Sequence, residues 1–188
     1  EIFEMLGSYL DVTFVEVTDS LDRNVIALAT SKQTDTTGFA YFPNPHFDLG
    51  MDVFIADGYD APRFVATGIT NLDYEVLLHE ISHALGLKHP FEADGENTDV
   101  LNLLEDNSSY TVMSYNTVPS AFSGDLRALD LMSLTQLYGV NPAYTLPNGK
   151  EFAKGLAKVK TSVSMALYAD ETATNCKYVA SDLHALES

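Results

Sequence analysis

The stretch from His79 to Pro90, His-Glu-Ile-Ser-His-Ala-Leu-Gly-Leu-Lys-His-Pro, constrains the chain more than any other. It holds three of the five histidines. Leu77, Leu78, Ile81, Ala84 and Leu85 recur at helical spacing and define one apolar face. Thr70, followed three residues later by Asp73, has the form of a capping box that opens such a helix. Gly86 is placed to end it in the left-handed conformation. On this helix His79 and His83 lie one turn apart and project from the same face. His89 could not reach them from a continuing helix, and a sharp turn at Gly86 lets it swing back.

Three neutral imidazoles at roughly 2.0–2.1 Å leave a zinc ion one open position for water, the arrangement of a catalytic rather than a structural site. Glu80 is rotated about 100° around the helix from His79. There its carboxylate can lie beside the water instead of binding the metal. It can take the water's proton as general base and later pass that proton to a leaving amine. The residue set is that of peptide hydrolysis. The five fixed positions of HExxHxxGxxH arise by chance in a chain of this length with a probability on the order of 10⁻⁴ or less.

The rest of the chain supports one domain with a sizeable core, or one domain plus an appendage. Of 188 residues, 46% are hydrophobic, and the formal net charge is −17. That excess is uneven, with 22 acidic and 5 basic residues in 1–149 against 5 and 5 in 150–188. Such a surface repels nucleic acid and anionic membranes and favours loose calcium association. No apolar run approaches the roughly 18 residues that span a bilayer, and Glu1 opens no signal-peptide pattern. The reading is a soluble chain. The lone Cys176 excludes an internal disulfide.

Residues 1–10 have helical spacing, with Ile2, Met5, Leu6 and Tyr9 apolar. Short strands are expected at 11–17, 24–30, 38–45 and 51–57, each bounded by turn residues. Residues 91–110 read as loop. A second helix is expected over 126–139, stopped by Gly139. The tail from Gly149 fits a strand over 158–167 or a helix through Phe152, Leu156, Val159 and Val163, and periodicity does not choose between them. No repeat has a fixed period.

HExxHxxGxxH resembles the signature of the metzincin zinc endopeptidases, which also carry a methionine turn beneath the metal. Met113, in Ser-Tyr-Thr-Val-Met-Ser-Tyr-Asn (109–116), matches that turn. Pro90 after the third histidine, Met113-Ser114-Tyr115 and the later Leu129–Asn141 stretch look like the serralysins, secreted bacterial metalloproteases. The resemblance covers roughly residues 1–142 and is most specific at 79–89 and 112–115.

It implies an α+β fold of zincin type, with a twisted mixed sheet, a helix behind it, an active-site helix and a C-terminal helix. It also implies His79, His83 and His89 as ligands of one catalytic zinc, Glu80 as general base, and a polypeptide substrate outside the cell. Tyr115 would be a fifth zinc ligand at rest that then swings away to donate to the oxyanion. Residues 51–57 would be the edge strand on which extended substrate pairs by β-addition. Residues 1–142 would form the catalytic domain, N-terminally incomplete, and 143–188 a tail whose structure the sequence leaves open.

Three features depart from the family. Against the family pattern the chain is expected to begin inside the domain, with an N-terminal strand absent or replaced by part of 150–188 or by another molecule. Calcium-binding GGxGxD repeats do not follow. Ser82 stands where glycine is common, at a position that binds nothing. His46 and Asp48 are similar to the start of a second zinc site in matrixins but lack the further histidines, and His46 reads as a loop residue. His184 reads the same way, and Cys176 reads as a free thiol. The competing class is a non-enzymatic zinc module of an adhesin or toxin. The retained Glu80 argues against it, since a structural zinc has no use for a base.

Overall fold

The computed structural model describes residues 1–18, 25–57, 71–93, 95, 97–118, 123–144 and 175–180. Alternation along 12–15 produces what it predicts. Val12 is buried and Phe14 half-buried, while Thr13 and Val15 face out, and residues Thr13–Glu16 form β1. Strands β2 (Val25–Ser31), β3 (Gly38–Ala40) and β4 (Val53–Ala56) follow in the expected stretches. Helix α1 spans Ile2–Tyr9, α2 Asn71–Ala84 and α3 Ala128–Tyr138. A fifth strand, β5, covers Asn175–Ala180. The fold is α+β, as the periodicity and the resemblance imply.

The five strands form one mixed sheet in the order β1-β5-β2-β4-β3. β1, β5, β2 and β4 run parallel to their neighbours, and β3 runs antiparallel to β4. β5 therefore lies between β1 and β2, with Phe14 opposite Cys176 and Ile26 opposite Tyr178. The sheet is completed from within residues 150–188, one of the three expected solutions. The contributing segment is 175–180; the stretch 158–167, His184 and the Thr70 cap lie outside the described residues.

One expectation fails. Residues 51–57 are not the edge, because β4 pairs with β2 on one side and β3 on the other. The burial of Val53, Ile55 and Ala56 suits an interior strand. On this side the edge among the described strands is β3, a short strand running toward Pro43 and Pro45, which have no N–H to donate to a ladder. Phe39 of β3 stacks on Phe54 of β4 with ring centroids 4.9 Å apart.

The core runs from Leu6 and Leu10 through Ile26 and Val53 to Leu78, Ile81, Leu85, Met113 and Leu134. α2 packs against β3 and β4, which sets the helix carrying His79 and His83 beside the sheet edge. The end of α3 is tied to α1, where the Asn141 amide donates to the Gly7 carbonyl at 2.7 Å. Among the described residues, no helix is long and apolar enough to cross a membrane.

Candidate metal centre

α2 places His79 and His83 on one face, and the chain leaves the helix through Gly86, whose φ of 103° a side chain would disfavour. Leu87 then donates its N–H to the Ser82 carbonyl at 2.9 Å, and the reversal returns His89 to the helix. His89 Nε2 lies 3.2 Å from His79 Nε2 and 3.0 Å from His83 Nε2.

The other ring nitrogens explain this approach. His79 Nδ1 donates to the Val112 carbonyl at 2.8 Å and His83 Nδ1 to the Leu87 carbonyl at 2.6 Å. His89 Nδ1 donates to Glu92 Oε2 at 2.9 Å. Each Nδ1 thus carries the proton, and three Nε2 lone pairs face one another. Protonating a ring would relieve that repulsion, but burial opposes it. Burial, with a smaller effect from the neighbouring imidazole, lowers His79 to about 4 and His83 to about 3. Neutral, convergent nitrogens within 4.8 Å of one another are a donor set for a metal cation.

Glu80 is buried beside this cluster, and its Oε2 has no hydrogen-bond partner among the described residues. Burial pushes its carboxyl up to about 7. A cleft of about 590 Å³ opens there, lined by Thr36, Val76, His79, Glu80, Val112 and Tyr115 among others. The edge strand runs close against this carboxylate. A Cβ at Gly38 would lie 2.8 Å from Glu80 Cγ.

Tyr115 stands at the mouth, 64% exposed. Its ring centroid is 4.7 Å from that of His89, 5.8 Å from that of His79 and 5.0 Å from that of Phe91. Burial, then the charges of Glu80 and Glu92, raises its hydroxyl pKa, so the group stays a donor. Met113 is fully buried in the core.

The turn bearing Met113 is fixed by Asp130, which is itself fully buried. Asp130 accepts from the Thr111 hydroxyl at 2.6 Å, the Val112 N–H at 2.9 Å and the Arg127 N–H at 2.9 Å. Burial pushes its carboxyl up to about 6 against the pull of these donors. Arg127 joins α2 to the same region, bonding Glu75 Oε2 at 2.8 Å and the Ser108 carbonyl at 3.1 Å. The Val112 peptide links the two parts: its N–H goes to Asp130 and its carbonyl to His79.

No family model matches the chain. It is 30% identical over 154 residues to a serralysin of Photorhabdus laumondii, across 70% of this chain and 30% of the relative. It is 28% identical over 149 residues to serralysin B of Dickeya chrysanthemi, with the same coverage. Over 148 residues it is 28% identical to metallopeptidase AprA of Pseudomonas marginalis, across 70% of this chain and 31% of the relative. The chain spans about a third of the length of the curated relatives it matches. With the histidine cluster, these likenesses decide the family. The chain is a serralysin-like metzincin domain.

In this serralysin-like domain the motif residues of the sequence meet in space: His79, His83 and His89 converge, with Glu80 and Tyr115 on their open side. Ser82 is fully buried and donates to the Leu78 carbonyl at 2.7 Å, which satisfies its hydroxyl inside the helix. His46 is exposed, and it is not in the histidine cluster, which is the sole group of metal-binding side chains among the described residues. Sequence reasoning missed Asp130, Arg127, Lys88, Phe91 and Glu92. Only Glu92 had a local signal, lying three residues after His89.

Proposed function

We propose that the domain is a zinc-dependent endopeptidase of serralysin type, acting on extended polypeptide outside the cell. The observation that carries the reading is the pairing of the convergent Nε2 atoms with the unpartnered, buried Oε2 of Glu80. His79, His83 and His89 are the proposed zinc ligands. A zinc ion held there supplies Lewis acidity that polarises the scissile carbonyl and makes a water molecule acidic.

The chain's own residues do the rest. Glu80, whose carboxyl is pushed up to about 7, takes a proton from the attacking water near neutral pH. It takes the proton as the water's C–O bond to the carbonyl carbon forms and passes it to the departing amine as the C–N bond then breaks, so one water is consumed. The Tyr115 hydroxyl donates to the oxyanion that develops on the attacked carbonyl. Met113 floors the ligand cluster as the buried residue of its turn. β3 is an edge among the described strands beside Glu80; an extended substrate can pair there by displacing the Thr36 hydroxyl, which bonds the Gly38 N–H and carbonyl. We assign residues 1–142 to the catalytic unit, with the tail lending β5 to its sheet.

Zinc content and cleavage of an unfolded protein, with and without chelator, test this reading. Glu80→Ala should keep stoichiometric zinc while hydrolysis falls at least 10²–10⁴-fold, the usual contribution of a general base. Near-normal turnover in that variant would place the base elsewhere. Zinc binding without any chelator-sensitive cleavage would favour the non-enzymatic module.

A further inference from the structure

Residues 1–149 contain only five basic residues against 22 acidic ones, and one of the five is buried within the metal-binding turn. Lys88, between Leu87 and the ligand His89, is 4% exposed. Its ammonium donates to the carbonyls of Glu92 and Asp99, the latter at 2.8 Å, and lies 3.5 Å from the carbonyl of His89. A lysine on a surface loop ordinarily extends its head into water. Desolvating the charge costs several kcal/mol unless other groups replace the lost hydration. Here main-chain oxygens from both ends of the loop do so.

The loop that these bonds gather carries three side chains of the metal centre. His89 offers its Nε2 to the cluster. Glu92 accepts the His89 Nδ1 proton at 2.9 Å. Phe91 stacks on the His89 ring at 5.0 Å with the planes 9° apart. The Leu101 N–H, bonded to the Pro90 carbonyl at 2.8 Å, closes the same loop. His79 and His83 are held by a helix, but His89 follows a glycine turn and depends on what the loop provides.

We propose that Lys88 is a positioning residue for the metal centre, a tethered cation that draws the 89–99 loop together and so holds His89 where it meets His79 and His83. The proposal rests on the zinc reading above.

Zinc affinity of the full chain, measured by competition with a chromophoric chelator, tests it without reference to catalysis. Lys88→Ala should bind zinc about 10–100-fold more weakly, the usual cost of losing a group that orients a ligand. n-Propylammonium, which replaces the three missing carbons and the ammonium, should restore most of that affinity, while sodium at the same ionic strength should not. In a His89→Ala chain the added Lys88→Ala change should alter residual affinity less than about twofold, because Lys88 acts through His89.

Wild-type affinity in the Lys88→Ala chain would overturn the proposal, as would a loss that adds in full to that of His89→Ala. If Lys88→Ala does not fold, the same titration decides: recovery of fold and zinc binding with n-propylammonium supports the proposal, and no recovery overturns it. A wild-type chain that binds no zinc refutes the metal reading itself, a separate outcome. Zinc-binding wild type without peptidase activity refutes only the enzyme and leaves Lys88 in its role.

Discussion

The metal centre has two differently built sides. On one, His79 and His83 rise from α2 and give their Nδ1 protons to main-chain carbonyls, backed by the buried Asp130, Arg127 and Glu75. On the other, His89 leaves a turn and gives its Nδ1 proton to Glu92, whose side chain is 58% exposed. The helical side is set by the core, by the Arg127–Glu75 ion pair and by the long-range bonds of Asp130. The loop side is set by a few short-range contacts, one of them in water. Two of the three histidines are therefore placed by the fold, and the third is adjustable.

The largest test of that contrast is Asp130→Ala. It strands the Thr111 hydroxyl, two backbone N–H groups and part of the charge balance around Arg127. Breaking such a buried network costs about 3–5 kcal/mol. Thermal melting of the metal-free chain should report it, and a cost below about 1 kcal/mol would mean the helical side is not held by this network. Tyr115→Phe comes next, at the boundary between the sides. Loss of one oxyanion donor should lower kcat by roughly 10²–10³, or about 3–4 kcal/mol, with KM and zinc content little changed. Full kcat in that variant would leave Tyr115 as a packed aromatic only.

Acid separates the sides through the histidines themselves. His79 and His83 titrate near 4 and 3 when folded, against about 6.5 when unfolded. Between these values the unfolded chain holds more protons than the folded one, so stability falls as pH drops from 6.5 toward 4. Two such groups give a slope of up to about 2.7 kcal/mol per pH unit. Denaturant melts of the metal-free chain should show that loss; a flat profile would mean water reaches the helix histidines. The smallest expected effect is Glu92→Gln on the loop side. Weakening the acceptor for His89 should reduce zinc affinity about 10-fold, at the low end for an outer partner because Glu92 is exposed. An equal or larger effect than that of Asp130→Ala on zinc affinity would reverse the contrast.

What the sequence disclosed follows the same division. The i, i+4 spacing of His79 and His83 and the glycine at 86 are local, and they turn the chain so that the third imidazole can return to the first two. Alternation marked β1, β2, β3 and β4 because burial repeats with the pleat. It could not tell that β4 is interior and β3 the edge, since strand order depends on pairings that periodicity does not encode. Glu75 and Arg127 are 52 residues apart, and Asp130 and Val112 are 18 apart; no spacing rule joins them. Nothing in the sequence marks Lys88, because the carbonyls that surround its ammonium, of Glu92 and Asp99, come from a loop whose path no periodicity encodes. β5 was invisible for a further reason, because its six residues matter only through the gap they occupy between β1 and β2.

β3 leaves one side of its backbone unpaired among the described strands, next to Tyr41 and Phe47, which are 36% and 39% exposed. An open strand edge beside aromatic rings is ordinarily a place where identical molecules stick to one another. A net charge of −17 acts against that between copies of this chain, whereas a neutral or basic foreign strand meets no such repulsion. The acidity thus sorts self from non-self at the sheet edge by colloidal means. Because the repulsion is screened over about 8–10 Å at physiological salt, concentrated brine should erode this discrimination and let the domains associate through the same edge.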